Sequence, residues 1–221
     1  IIVVHWITFY HAIKLSNVSL TLACLSTGPF FTSLLEPLFF KRRILPAEIL
    51  LGGGVVAGMM LLFGSVEGHQ TAILVGLTSS ILSALFSVMN GRIVQRMTPL
   101  DISFWEMSMG VIMLSLYLAS QGELTPSILS PTGTDWVYLI ILATFCTAFA
   151  FVQSVRIMRY LSPFTVMLTI AMEPVYGILI ALFLFGQSEA MTPGFYLGVA
   201  MILTMLMGDA FIKRRKRRKA A

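Results

Sequence analysis

A glutamate followed at once by a proline stands in the middle of an apolar run: Glu173-Pro174 in TIAMEPVYGIL (169–179), within a stretch from Ser162 to Gly186. An acidic side chain at the centre of a bilayer costs about 2.5–3.5 kcal/mol, so Glu173 is expected to face a bundle interior or water instead of lipid. Pro174 removes one backbone hydrogen bond and frees a carbonyl, which is tolerable only beside a cavity or a compensating partner. Thr165, Thr169, Glu173 and Tyr176 are spaced by four, four and three and so share one helical face. Such a face offers proton exchange at a carboxyl and hydrogen bonds to a polar solute. The structural alternative is a Glu bonded to a neighbouring Ser or Thr.

Other polar groups sit at similar depth. Ser80, Ser83, Ser87 and Asn90 share one face of a span near 71–91; the serines read as close helix packing, and Asn90 as the group that meets water. Glu106 lies one to two turns inside the next span beside Trp105, which equally suits an interfacial aromatic belt. His5, Trp6 and Tyr10 supply an imidazole and aromatic lining for a planar or amphipathic solute, and Thr144, Thr147, Phe151 and Ser154 form a weaker polar stripe. His5 and His11 are six apart and His69 is in a loop, so no metal site is readable. GGGVVAG (52–58) holds Gly54 and Gly58 in GxxxG spacing without the Lys-Ser/Thr of a phosphate loop, and reads as helix packing. Cys24 and Cys146 fall in apolar segments and read as packed thiols. There is no catalytic triad, no pair of carboxylates in a soluble setting and no nucleotide motif. Neither an enzyme nor a cofactor is expected.

The elements that must position these groups follow from composition. Of 221 residues, 57% are hydrophobic and 11% charged, with mean hydropathy +0.88. Soluble domains carry about 25% charged residues, and about 20 apolar residues of helix cross a bilayer. The fold class expected is an all-α polytopic membrane protein, a bundle of about eight transmembrane helices with the first one partial. Pro, Gly and polar punctuation places a partial helix at 1–14 and spans near 17–40, 46–66, 71–91, 101–120, 135–158, 162–186 and 192–212, with kinks at Pro29 and Pro174. Residues 121–135, QGELTPSILSPTGTD, read as an exposed loop. With KRRKRRK (213–219) in the cytoplasm, 14 of the 15 Lys and Arg residues fall inside and only Lys14 outside, as the positive-inside rule requires. That tail suits anionic lipid directly after a span, and nucleic acid is not an expected partner.

The two halves of the chain correspond. A shift of 145 residues lays Pro29 on Pro174, Lys14 on Arg159, Asn17 on Ser162 and Gly53 on Gly198, and pairs inside positions with outside ones. Inverted repeats of this kind recur in secondary transporters, with the solute near the midplane. HAIKLSNVSLTLACLSTGPFFTSLLEPLFF (11–40) and VRIMRYLSPFTVMLTIAMEPVYGILIALFLFGQSEAMTPGFYLGVAMILTMLMG (155–208) resemble the two halves of an EamA-type transporter of the drug/metabolite transporter superfamily. The resemblance implies ten helices in two inverted five-helix repeats with cytoplasmic termini. Residues 1–66 would be the last three helices of an N-terminally truncated first repeat, 71–212 the second repeat and 213–221 a basic tail. The family often has Gly-Glu at the end of the helix that carries EPV; here Gly186-Gln187 precedes Glu189, and Phe40-Lys41 stands at the equivalent place. The implied function is export of small organic metabolites, amino acids or related solutes, across the bacterial inner membrane by alternating access. The partners expected are the solute and the lipid bilayer, and whether the chain forms a homodimer is open. A phosphorylated-sugar or nucleotide-sugar antiporter would want cationic side chains deep in the cavity, whereas all 15 Lys and Arg lie at or near span ends. A non-transporting scaffold or sensor is the other alternative.

Overall fold

The computed structural model describes residues 1–41, 53–55, 57, 58, 60, 61, 68–186 and 190–220. The regular structure among them is helical throughout. In chain order the helices are α1 (Ile2–Leu15), α2 (Val18–Leu25), α3 (Gly28–Phe40), α4 (Gln70–Ile93), α5 (Pro99–Ser120), α6 (Gly133–Ile141), α7 (Ala150–Ile157), α8 (Pro163–Ile170), α9 (Glu173–Phe185) and α10 (Pro193–Ala220). A π-helical segment, Leu142–Phe149, joins α6 to α7, and a 3-10 turn occupies Pro126–Leu129 in the exposed loop before α6. Of the expected span at 46–66, residues 53–55, 57, 58, 60 and 61 are described and helical.

Local chemistry sets the helix starts. Asn17 Oδ1 accepts from the Leu20 amide at 2.9 Å ahead of α2, and Thr98 Oγ1 accepts from the Asp101 amide at 3.2 Å ahead of α5. Thr132 and Asp135 cap α6 reciprocally, each side chain taking the other's backbone N–H. Pro99, Pro163 and Pro193 open their helices, where a missing N–H has no intrahelical partner to lose.

Two broken helices organise the chain. The expected span at 17–40 is α2 and α3, interrupted at Ser26-Thr27; the one at 162–186 is α8 and α9, interrupted at Ala171-Met172. The shift of 145 lays Val18–Leu25 on Pro163–Ile170 and Gly28–Phe40 on Glu173–Phe185 with every boundary coincident. The residue closing each break has the same backbone conformation, φ −78° and ψ −7° at Thr27, φ −79° and ψ −16° at Met172. The proline follows two residues later in both, at the second helical position, where it costs no intrahelical bond of its own helix. Pro37 also follows a glutamate, yet α3 runs through it to Phe40. The dipeptide alone does not decide where a helix breaks.

Among the described residues four helical stretches are long and apolar enough to cross a membrane: Val18–Phe40, Gln70–Ile93, Pro99–Ser120 and Gly133–Ile157. Hydroxyl and amide side chains share their buried faces with apolar ones, and large apolar side chains crowd the outside. Thr21, Thr27, Thr32, Ser79, Ser80 and Asn90 are buried, while Phe104, Met109, Val111, Ile112 and Leu116 of α5 point outward. So much contiguous apolar surface suits hydrocarbon and would aggregate in water. Small and hydroxylated residues at the contacts are what membrane helices use to approach closely. The chain is a multi-pass membrane bundle.

Two compact units are distinguishable, one of Val3–Met89 with Pro163–Ala221 and one of Asn90–Ser162. The core of the first collects Leu20, Ala23 and Cys24 of α2, Ala72 and Ile73 of α4, Ile178 of α9, and Phe195 and Val199 of α10. Gly54 lies against the Met205 side chain and Gly58 against Ile202 and the Gly198 carbonyl, so the GxxxG pair packs helix on helix as its spacing predicts. In the second unit α5 packs on α7, and Gln95 Nε2 and Arg159 Nη2 donate to the carbonyls of Met158 and Met97.

Candidate functional site

The broken helices cross each other. α2 packs against α9, and α3 against α8. The first half of one therefore meets the second half of the other, an antiparallel crossing that brings the two breaks to its middle. Close approach comes from glycine: a Cβ on Gly177 would overlap the Leu22 side chain, and one on Gly28 would lie 2.7 Å from Met167 Cε. Leu22 and Met167 are themselves related by the 145-residue shift, so each helix sends one large side chain onto a glycine of the other.

The backbone is bonded alike at both breaks. Ser26 N donates to Leu22 O at 3.0 Å and Thr27 N to Cys24 O at 3.2 Å; Ala171 N donates to Met167 O at 2.8 Å and Met172 N to Thr169 O at 3.1 Å. In each pair the second bond spans three residues where an α-helix spans four, and the carbonyl passed over, Ala23 or Leu168, loses its usual donor. Pro29 and Pro174 in turn remove the N–H that would reach Leu25 and Ile170.

Side chains make the breaks unequal. At the first, Ser26 Oγ donates to Ala23 O at 2.6 Å, Thr27 Oγ1 donates to Cys24 O at 2.6 Å, and Thr27 Oγ1 lies 3.1 Å from Ser80 Oγ of α4. Ser26 and Thr27 are fully buried. That break is sealed by hydroxyls. At the second, Ala171 and Met172 have no side-chain donor to give, and Glu173 stands where the first break has Gly28. One crossing thus presents a hydroxyl-sealed break and a break whose own residues donate no hydroxyl to its carbonyls, beside a carboxyl.

Glu173, Thr169 and Tyr176 are exposed, opposite the buried Met167, Ala171, Ile178 and Ala181 of the same helix pair. Glu173 therefore lies off the packed face of this helix pair. Thr169 Oγ1 donates to Thr165 O at 3.1 Å rather than to the carboxyl. Thr165 is only half-buried, so the four-residue polar stripe survives the helix break largely on the open side.

His5 is held elsewhere in the same unit. Its Nδ1 lies 2.9 Å from both the carbonyl and the hydroxyl of Ser79, and Ser79 Oγ donates to His5 O at 3.0 Å. With the hydroxyl proton committed to that carbonyl, Nδ1 carries the hydrogen and Nε2 is left as the acceptor. Trp6 is half-buried and Tyr10 is exposed. The structure does not gather the three into one lining: His5 clamps α1 to α4, and Tyr10 faces outward. The partner residue, Ser79, stood one place beside the serine stripe and carried no signal of its own.

In the second unit Asn90 Nδ2 donates to Glu106 Oε2 at 3.2 Å. Asn90, expected to meet water, is 1% exposed instead, because the carboxyl it holds lies on α5 across the contact. Glu106 is half-buried, and Trp105 is exposed as a belt aromatic is. The stripe expected from Thr144, Thr147, Phe151 and Ser154 is broken up, since Leu142–Phe149 is π-helical and turns with a longer period than the 3.6 residues assumed. Cys146, read as packed, is exposed in that segment; Cys24 is buried in the first unit's core.

The sequence model of the EamA-like transporter family matches residues 70–208. The chain belongs to that family. The matched region begins with the first residue of α4 and ends within α10, so this EamA-like transporter carries in it both the Asn90–Glu106 pair and the whole of the second broken helix. It is a member of the drug/metabolite transporter superfamily, a family of transporters and not of enzymes. No curated protein and no solved structure matches the chain.

Proposed function

We propose that this transporter exports a small organic solute, an amino acid or a related metabolite, across the inner membrane of a bacterium by alternating access between two inverted repeats. The observation that carries the reading is the crossing of α2–α3 with α8–α9: two helices with coincident boundaries, broken at equivalent residues and packed antiparallel. A pseudo-two-fold axis in the membrane plane produces that arrangement, and discontinuous helices at the repeat interface are where such transporters hold solute and coupling ion. Glu173 is the group proposed to exchange a proton with each cycle, Thr169 and Tyr176 to contact the solute, and Pro174 to keep the Ile170 carbonyl free. The sealed first break would act as the fixed half of the crossing. The tail at 213–219 would rest on anionic lipid at the cytoplasmic face. The absence of Lys and Arg from span centres disfavours a phosphorylated or nucleotide-linked sugar.

The test is solute flux in proteoliposomes, wild type against Glu173→Gln, with and without an imposed pH gradient. The amide is nearly isosteric, so the variant should insert and fold as wild type does while its flux loses dependence on the gradient. Unchanged gradient-driven flux would return Glu173 to a structural role beside the break.

A further inference from the structure

The crossing of broken helices leaves one polar pair unused. Asn90 and Glu106 belong to the unit formed by Asn90–Ser162, and the bond between them ties the last turn of α4 to the second turn of α5. Because the amide nitrogen is spent on the carboxylate, the amide oxygen is what remains, and Asn90 Oδ1 is buried with no hydrogen-bond partner among the described residues. Nearby polar side chains of the unit are engaged elsewhere: Ser103 Oγ donates to Pro99 O, Gln95 Nε2 to Met158 O and Arg159 Nη2 to Met97 O. Buried side-chain oxygens rarely go unpaired, and each exception asks for an explanation.

The two acceptors are of one kind. A carboxylate only accepts hydrogen bonds and carries a negative charge; an amide oxygen only accepts. What fits beside them is a donor with a positive charge. An anionic group would be repelled by Glu106, and a hard metal ion takes six or more oxygens, more than these two residues hold. A primary ammonium brings three N–H donors and one positive charge, enough to serve both oxygens and neutralise the carboxylate. Glu106 itself is half-buried rather than sealed in the contact.

We propose that Asn90 and Glu106 form a subsite for the primary ammonium group of the transported solute, Asn90 Nδ2 fixing the carboxylate while Asn90 Oδ1 and Glu106 receive the N–H donors. This rests on the transport reading above and narrows its substrate class to amines and amino acids.

Binding is measured first, without transport. The unfolding midpoint of detergent-purified protein is followed against butylammonium chloride, with tetramethylammonium chloride as a cation that has no N–H and butanol as an uncharged chain. Butylammonium alone should raise the midpoint. In Glu106→Gln the half-saturating concentration should rise by about tenfold or more, as expected when a charge-assisted hydrogen bond is lost. Asn90→Leu should weaken it likewise, and Glu123→Gln, in the exposed loop after α5, should leave it unchanged. Should Asn90→Leu fail to fold, Glu106→Gln with its near-isosteric side chain still decides. Equal midpoint shifts with butylammonium and tetramethylammonium, or an undiminished shift in Glu106→Gln, would overturn the subsite. Flux then separates the two proposals: butylammonium binding lost in Glu106→Gln, together with wild-type vesicles that move no amine or amino acid, would leave a binding site standing and refute its place in transport.

Discussion

Replacing Gly58 with alanine adds one methyl group where its backbone lies against that of α10. Its Cβ would lie 2.8 Å from Ile202 Cγ1, 3.2 Å from the Gly198 carbonyl oxygen and 3.4 Å from the Ile202 amide nitrogen. Two of those three atoms are backbone of α10 and cannot swing away, and Ile202 is fully buried. Overpacking of this kind costs about 1–3 kcal/mol, against which alanine's helix propensity returns about 1 kcal/mol relative to glycine. The net expectation is a loss of up to about 2 kcal/mol. Gly54→Ala is the control on the same helix. Its Cβ meets only Met205 side-chain atoms, the nearest at 2.6 Å, and methionine's three rotatable bonds let it give way. Gly54→Ala should therefore be neutral or slightly stabilising. The assay is the unfolding midpoint of each purified variant in one detergent. If Gly58→Ala is as stable as Gly54→Ala, the close packing of that helix on α10 is not as described.

A reporter fused after Ala221 should be cytoplasmic and one inserted near Ser127 external, because that orientation puts 14 of 15 basic residues inside; finding both on one side would remove the span order. Thr27→Val, which deletes the hydroxyl shared with Ser80 and Cys24 O at a fully buried position, should lower stability by about 1–3 kcal/mol in the same unfolding assay. Met172→Val at the equivalent residue of the second break, which has no such bond to lose, should be milder, and equal effects would contradict the asymmetry of the breaks.

The membrane class and the family were legible because they rest on long-range composition: apolar runs of span length, Pro and Gly punctuation, and a basic bias on one side. Breaks are a finer matter. Pro29 and Pro174 announce a kink, but a proline disturbs the bond to the residue four places back, so the interruption lies upstream, at Ser26-Thr27 and Ala171-Met172. Pro37, with the same preceding glutamate as Pro174, leaves its helix whole, and nothing local distinguishes the two. The π-helical LATFCTAF has neither Gly nor Pro to mark it, and its longer period scatters a stripe drawn at 3.6 residues per turn. Asn90 illustrates the limit for single side chains. Its depth in a span is plain from sequence, but its burial depends on Glu106, sixteen residues on, reaching it from another helix. For Glu173 the kink and the carboxyl were legible; that the equivalent break in the first half is sealed by Ser26, Thr27 and Ser80 required the tertiary contact.

The central claim, an antiparallel crossing of two broken helices on which transport depends, is tested most directly by cross-linking. In a background with Cys24 and Cys146 replaced by serine, Leu22→Cys paired with Gly177→Cys joins positions whose side-chain space overlaps across α2 and α9. A short thiol-specific cross-linker applied to membranes should join the pair in high yield and arrest solute flux, with flux restored on reduction. Leu22→Cys paired with Thr165→Cys, in the first turn of α8, should not react. Reaction of the second pair in preference to the first would mean the helices run parallel. Free flux through the fully cross-linked first pair would mean that the crossing does not move with transport.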